Sequence, residues 1–342
     1  MGVMFEALRE KEELWNLFTK KEEYNTPFQD RHGRFPHYMS CHREPMVPAV
    51  SEFLVDHGLS LDYGEGKKFA VCLTHDVDSI GKSLPASIHD SMKSIWHRDV
   101  RTAMTLPLSG LKKDWNPFRN FEKIMSLEER YGAVSTFFFK ATDTDPFEQT
   151  YQIGDLRSEI KTIVAKGWDL GLHGGYYAYD NLEAILKEKQ SIERILGKEV
   201  IGYRSHYLRF KVPDTWGLLE KAGFRYDSTF GYADCTGFRN GMCHPFRPYD
   251  LKESRWVDLV EIPLTVMIDT LFNYMTLDTW GSWDVLKTLI NIVEKNKGVI
   301  TVLWHNDQMN GEYLKLYEKL LEYCREKDAL MTGADSIYRL AQ

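Results

Sequence analysis

The stretch KFAVCLTHDVDS, Lys68–Ser79, decides how the rest of this chain reads. Phe69–Leu73 is a short run of strand formers bounded upstream by GEGKK, the pattern of a fully buried strand in a parallel sheet. It runs straight into Thr74-His75-Asp76-Val77-Asp78. Side chains alternate along an extended chain, so Asp76 and Asp78 share one face and His75 takes the other. A carboxylate pair at the carboxyl end of a strand lies where α/β sheets and barrels place their sites. Two like charges that close repel each other unless a cation sits between them.

Outward from that strand, strand and helix patterns alternate. Further strands are expected at Val134–Lys140, Trp168–His173, Ile201–Ser205, Arg225–Ser228, Leu259–Val266, Val299–His305 and Ala329–Thr332. Helical patterns cover Phe118–Arg130, Leu156–Lys166, Leu182–Leu196, Thr215–Lys221, Trp283–Asn296 and Gly311–Lys327. Asp155, Asp180-Asn181 and Asp214 stand where N-terminal caps belong, and Gly132, Gly167, Gly197, Gly223 and Gly298 where C-terminal caps belong. Repeated βα units demand a parallel sheet, and their number here favours a distorted (β/α) barrel of about seven strands over an open sheet. The barrel is expected over residues 67–342, with insertions near 80–116 and 230–256 that wall the cleft. Residues 1–66 read as a small N-terminal cap: one amphipathic helix over Phe5–Lys20, a proline-rich loop over Thr26–Pro48 and a helix over Val50–His57.

The bulk properties bound the function. The 342 residues carry a net charge of −7 with no basic block, which argues against nucleic acid as a partner. No stretch approaches the apolar length of a membrane span. The N-terminal residues MGVMFEALREKEELWN lack the pattern of a secretory signal, so a cytoplasmic location is expected. The five cysteines, an odd number without a CxxC pair, fit reduced thiols rather than a disulfide framework. Aromatics make up 13% of the chain, with nine tryptophans; a core role is the leading reading, and a surplus for stacking on sugar rings the other.

The expected strand ends carry Asp76, Asp78, His173, Arg204, His206, Asp227 and His305. Ionisable groups gathered on one rim from distant strands are what a metal-dependent hydrolase needs: ligands, a base, an acid and a neutralising charge.

In order and spacing, THDVD, LHGGYY, YRSHYL, YDST and LWH resemble the motif series of the polysaccharide deacetylases, carbohydrate esterase family four. The resemblance covers about Lys67 to Thr332. It implies a distorted (β/α) barrel with a divalent metal, zinc being the expected ion, that removes acetyl groups from amino sugars or glycans. It assigns Asp76 as base, Asp78 and His173 as metal ligands, and Arg204 as the partner of Asp76. It further assigns the Tyr207 backbone N–H to the oxyanion, Asp227 to orienting the acid, and His305 as that acid. The family's second histidine is replaced by Tyr177, and the proline of its third motif by His206. Two protein ligands rarely suffice for a catalytic zinc. Strand parity makes His206 the leading third ligand, ahead of His244 and His75. The implied partner is an N-acetylated carbohydrate, such as a lipid- or nucleotide-linked amino sugar. The alternatives are an amidase acting on a small non-sugar amide, or a glycan-binding barrel that has lost catalysis.

Overall fold

A computed structural model describes residues 2–81, 118–147 and 151–342. The expected insertion at 80–116 therefore falls outside the described residues from 82 onward. Strands β1 (Ala70–Val77), β2 (Thr136–Lys140), β3 (Asp169–Gly174), β4 (Gly202–Ser205) and β5 (Tyr226–Asp227) pair in that order, all parallel. The chain then makes an antiparallel hairpin from β6 (Tyr249–Asp250) and β7 (Arg255–Trp256) before it returns to the sheet. There β8 (Val260–Glu261) pairs with β5, β9 (Val266–Met267) with β10 (Val299–Leu303), and β10 with β1. A last strand, β11 (Leu330–Thr332), lies against the first half of β1.

The sequence reading of Leu259–Val266 as one strand needs correction. The stretch bends between β8 and β9, which lie at opposite ends of the strand order. Pro263 offers no N–H to a ladder, so pairing breaks there. The break closes the ring. Counted once, the β8–β9 stretch joins β1 to β5 and β10 as the seventh position of a distorted barrel, shut by chain continuity. Thr265 N–H still reaches the Thr301 carbonyl at 3.0 Å.

Every residue of β1 is buried, as a strand covered on both faces requires. The helix Leu182–Leu196 follows its expected bounds. Asn181 Oδ1 accepts from Ala184 N, Gly197 ends the helix in the left-handed region at φ 77°, and Ile185, Ile192 and Ile195 face inward. Gly298 was expected to play the same capping part, but Lys297 takes the left-handed conformation instead, at φ 51°. What the glycine supplies is clearance, since a Cβ there would meet the Cys243 carbonyl oxygen at 2.5 Å.

The N-terminal helix divides into Gly2–Arg9 and Glu12–Thr19. Leu8 and Phe18 from these helices, and Val50 and Leu54 from Ala49–Asp56, enter the same apolar cluster as the barrel residues Val71, Ile300 and Leu286. A buried Glu23–Arg239 ion pair at 2.5 Å joins the N-terminal segment to the 230–256 insertion. The hairpin of that insertion packs on the N-terminal helices, with Trp15 at 5.1 Å from Tyr249 and Phe5 at 5.0 Å from Trp256. No helix among the described residues is long and apolar enough to cross a membrane.

Candidate metal centre

The carboxyl ends of β1, β3, β4 and β10 converge. Asp78 Oδ1 lies 3.1 Å from His173 Nε2 and 3.5 Å from His206 Nε2. All three side chains are buried, and their ligand atoms lie within 4.8 Å of one another. Among the described residues the same three atoms have no hydrogen-bond partner. A buried, unsatisfied carboxylate oxygen aimed at two unsatisfied imidazole nitrogens is costly in an empty protein interior and fits a shared cation. The cluster is therefore able to hold a metal ion, and its one carboxylate and two imidazoles suit a divalent ion with positions left open.

The other ring nitrogens fix the tautomers. His173 Nδ1 lies 3.0 Å from the Arg204 carbonyl oxygen, and His206 Nδ1 lies 3.0 Å from Asp145 Oδ2. Both therefore carry the proton on Nδ1 and present Nε2 to Asp78. Burial pushes the His206 pKa down, toward the neutral ring a ligand needs, whereas at His173 burial is outweighed by the Asp76 and Asp78 carboxylates, which raise the pKa. Burial alone would raise the Asp78 pKa, but His206, His173 and His305 hold it well below the usual carboxylate range. Asp145 is likewise penalised by burial yet lowered to about 2, chiefly by its bond to His206, and it also accepts from the N–H groups of Phe147 and Tyr176.

Asp76 stands beside this cluster with Oδ1 3.1 Å from Arg204 Nη1, while Oδ2 faces His173 Nε2 at 3.6 Å. Arg204 is fixed by the Ser228 carbonyl, Ser228 Oγ and Thr74 Oγ1, with its guanidinium 4.6 Å above the Phe138 ring. His305 approaches from the far side, its Nε2 3.4 Å from Asp78 Oδ2. Burial disfavours a charged His305, but the Asp269 carboxylate, with Asp78 and Asp76, raises its pKa to about 9. A cation at Asp78 would offset part of that rise.

The expected partner of His305 was Asp227, but its Nδ1 lies 3.2 Å from Asp269 Oδ2 and 3.1 Å from Gln308 Oε1. Asp227 accepts instead from Thr229 Oγ1 at 2.6 Å; burial raises its pKa to about 6 against the lowering bonds from Glu261 and Thr229, while burial and then Asp227 itself push Glu261 well above the usual range. Asp269 follows the short strand β9, which the sequence reading had merged with β8, so its place on the rim was not visible. His75 points away from the cluster, bonded to the Trp304 carbonyl and to Glu128. His244 bonds to Ser51 and to the Lys297 carbonyl oxygen at the opposite end of β10. Neither is a third ligand. Tyr207 follows His206 with φ 60°, ψ 16°, and its carbonyl accepts from Arg34 at 2.9 Å.

No protein-family model matches this sequence, and no curated protein does. The likeness is to solved structures. A candidate polysaccharide deacetylase from Mycobacterium smegmatis superposes with a TM-score of 0.56 at 17% identity, over 82% of this chain and 93% of that one. The fold is that of the polysaccharide deacetylases. More distant are peptidoglycan deacetylase PdaC from Bacillus subtilis, at 11% identity and TM-score 0.40 over 81% of this chain and 94% of that one, and a CE4 family pseudoenzyme from Bacillus anthracis, at 12% and 0.43 over 95% and 81%. On the polysaccharide deacetylase fold, Tyr177 stands where the resemblance expects a second motif imidazole, and it is 63% exposed. A second imidazole reaches Asp78 instead from the turn after β4, that of His206.

Proposed function

We propose that the protein is a metal-dependent deacetylase that removes an acetyl group from an amino sugar or a glycan. The observation that carries this reading is the convergence of Asp78 Oδ1, His173 Nε2 and His206 Nε2, three buried atoms without hydrogen-bond partners among the described residues, between Asp76 and His305. A divalent ion held by these three residues, zinc being the expected one, would polarise the attacking water and the acyl carbonyl. Asp76, kept in place by Arg204, takes the proton of the attacking water through Oδ2. The Tyr207 backbone N–H donates to the acyl oxygen as it becomes an oxyanion. His305 carries a proton on Nε2, held in orientation by Asp269 at Nδ1, and passes it to the leaving nitrogen.

The wall beside the cluster supports a sugar substrate. Phe147 lies 5.1 Å from Tyr207 and 4.8 Å from Tyr176, and Phe147 and Tyr177 keep open faces of the kind that stack on pyranose rings. The test is to strip the protein with chelator, titrate it with zinc and measure acetate released from N-acetylated amino-sugar oligomers. One equivalent of bound metal with metal-dependent acetate release is expected. Metal binding without release from any sugar would move the reading to a small-amide amidase. Sugar binding without metal or turnover would move it to a glycan-binding barrel.

A further inference from the structure

The N-terminal segment offers no catalytic motif in sequence, yet the stretch Asp30–Arg34 reaches the rim of the site. The His206–Leu208 turn that leaves β4 has an unusual backbone. Tyr207 and Leu208 both adopt the left-handed region, at φ 60° and 52°, and neither is glycine. Two such residues in succession persist only where the surroundings hold them. The N-terminal segment supplies several of these holds. Arg34 Nη1 donates to the Tyr207 carbonyl at 2.9 Å, and the His32 ring lies on the Tyr207 ring with centroids 4.5 Å apart. Arg209, one residue past the turn, donates from Nε to the His32 carbonyl at 2.7 Å.

Arg34 is itself immobilised. It is only 6% exposed, Asp30 Oδ2 accepts from its Nε at 2.7 Å, and its Nη2 donates to the Tyr274 hydroxyl at 3.0 Å. Tyr274 closes the turn Thr270–Tyr274 that begins beside Asp269. A single guanidinium thus ties the N-terminal segment to the turn that carries His206 and Tyr207, and to the segment that carries the partner of His305. A planar fork with fixed donor directions suits this task in a way an ammonium does not.

We propose that Arg34 is a positioning residue: by fixing the Tyr207 carbonyl it sets the Tyr207 backbone and so aims the N–H that stabilises the acyl oxyanion. This rests on the deacetylase reading above. With φ and ψ of Tyr207 fixed, the direction of its carbonyl determines the direction of its N–H. Oxyanion donors act through that direction, because they must meet the charge where it develops. The bonds of Arg34 go to Asp30, the Tyr207 carbonyl and the Tyr274 hydroxyl rather than to a metal-ligand side chain, so its loss should be felt in the transition state rather than in ground-state binding.

The experiment compares wild type with Arg34→Met, which keeps the bulk but removes the donors, Arg34→Lys, and Tyr274→Phe, which removes one support of Arg34. Expected for Arg34→Met is a fall in kcat of roughly ten- to a hundredfold, short of the loss when an oxyanion donor is deleted outright. KM should stay within about twofold. Affinity for a phosphonate mimic of the tetrahedral intermediate should fall in step with kcat. Arg34→Lys should recover part of the loss, and Tyr274→Phe should show a smaller loss of the same kind. Amide hydrogen exchange across residues 206–208 should quicken in Arg34→Met. An active wild type with an unchanged kcat in Arg34→Met, or a loss confined to KM, would overturn the proposal. An inactive wild type would overturn the deacetylase reading. The exchange measurement would then still judge the clamp, with unchanged exchange at 206–208 refuting it.

Discussion

His206 Nδ1 lies 3.0 Å from Asp145 Oδ2, and this contact decides which ring nitrogen His206 offers to Asp78. Strand parity from Arg204 led to the same inward direction for His206, but β4 ends at Ser205 and the chain turns before parity can act. Asp145 aims the ring instead. Carboxylates behind metal-bound imidazoles typically contribute ~10–100-fold in metal affinity. Asp145→Asn keeps one acceptor oxygen, enough for only one of the Phe147 and Tyr176 N–H groups, and loses the charge. It should weaken zinc binding by about tenfold in a calorimetric titration of the stripped protein, with unchanged circular dichroism. Equal affinity in the two proteins would remove His206 or Asp145 from the metal centre.

Asp76 and Asp78 are two residues apart and are expected to differ in kind. Asp76 is bonded to Arg204, while Asp78 Oδ1 is left to the cluster. Asp76→Asn should retain metal affinity and the fold and lose ~10²–10⁴ in kcat, the usual worth of a general base. Asp78→Asn should lose the metal. If Asp76→Asn loses metal as completely as Asp78→Asn, Asp76 is a ligand and the base lies elsewhere.

In the proposed mechanism His305 supplies a proton, and its importance scales with the basicity of the leaving group. His305→Ala should therefore lose ~10²–10⁴ in kcat/KM on an N-acetyl sugar and much less on an aryl acetate, whose leaving group departs as a stable phenolate. Asp269→Asn should show the same pattern with a smaller amplitude, because it acts through His305 Nδ1. Equal losses on both substrates would mean that His305 shapes the pocket and transfers no proton.

The legibility of the chain follows its periodicity. Asp76 in β1, Asp78 one residue past its end, His173 at the end of β3 and Arg204 in β4 lie in or directly beyond regular strands, where alternation dictates direction. Asp145, Asp269 and Arg34 lie in loops or just beyond a two-residue strand, where direction is set by contacts far along the chain. The Arg34–Tyr207 contact spans 173 residues and leaves no local signal. The resemblance implies Asp227 as the partner of His305, and the carboxylate at His305 Nδ1 is Asp269. Pro263 splits the expected strand, so the carboxylate beside β10 comes from β9 rather than from β5.

Away from the site, Asp169 and Asp335 form a carboxyl pair whose charge should be visible in stability. Burial, and then the neighbouring Asp335, raise the Asp169 pKa to about 7, and Asp335 is raised as well. Asp335 Oδ1 accepts from the Tyr226 hydroxyl at 2.8 Å, and Asp169 Oδ2 accepts from Asp335 N at 3.2 Å. A carboxyl raised in the folded state binds more protons folded than unfolded between the unfolded value near ~4 and the folded value of about 7. The sign of the linkage is then negative: this pair lowers stability as pH rises through that window. Asp335→Asn keeps the acceptor for Tyr226 and removes the charge facing Asp169. The pKa of Asp169 should fall, and stability should decline less steeply with pH. Every other titrating group is common to the two proteins, so their difference isolates the pair. Urea unfolding at several pH values from 4.5 to 8 should give curves that diverge with rising pH, by roughly 1–2 kcal/mol in favour of Asp335→Asn at the upper end. Parallel curves would mean that the two carboxyls titrate independently.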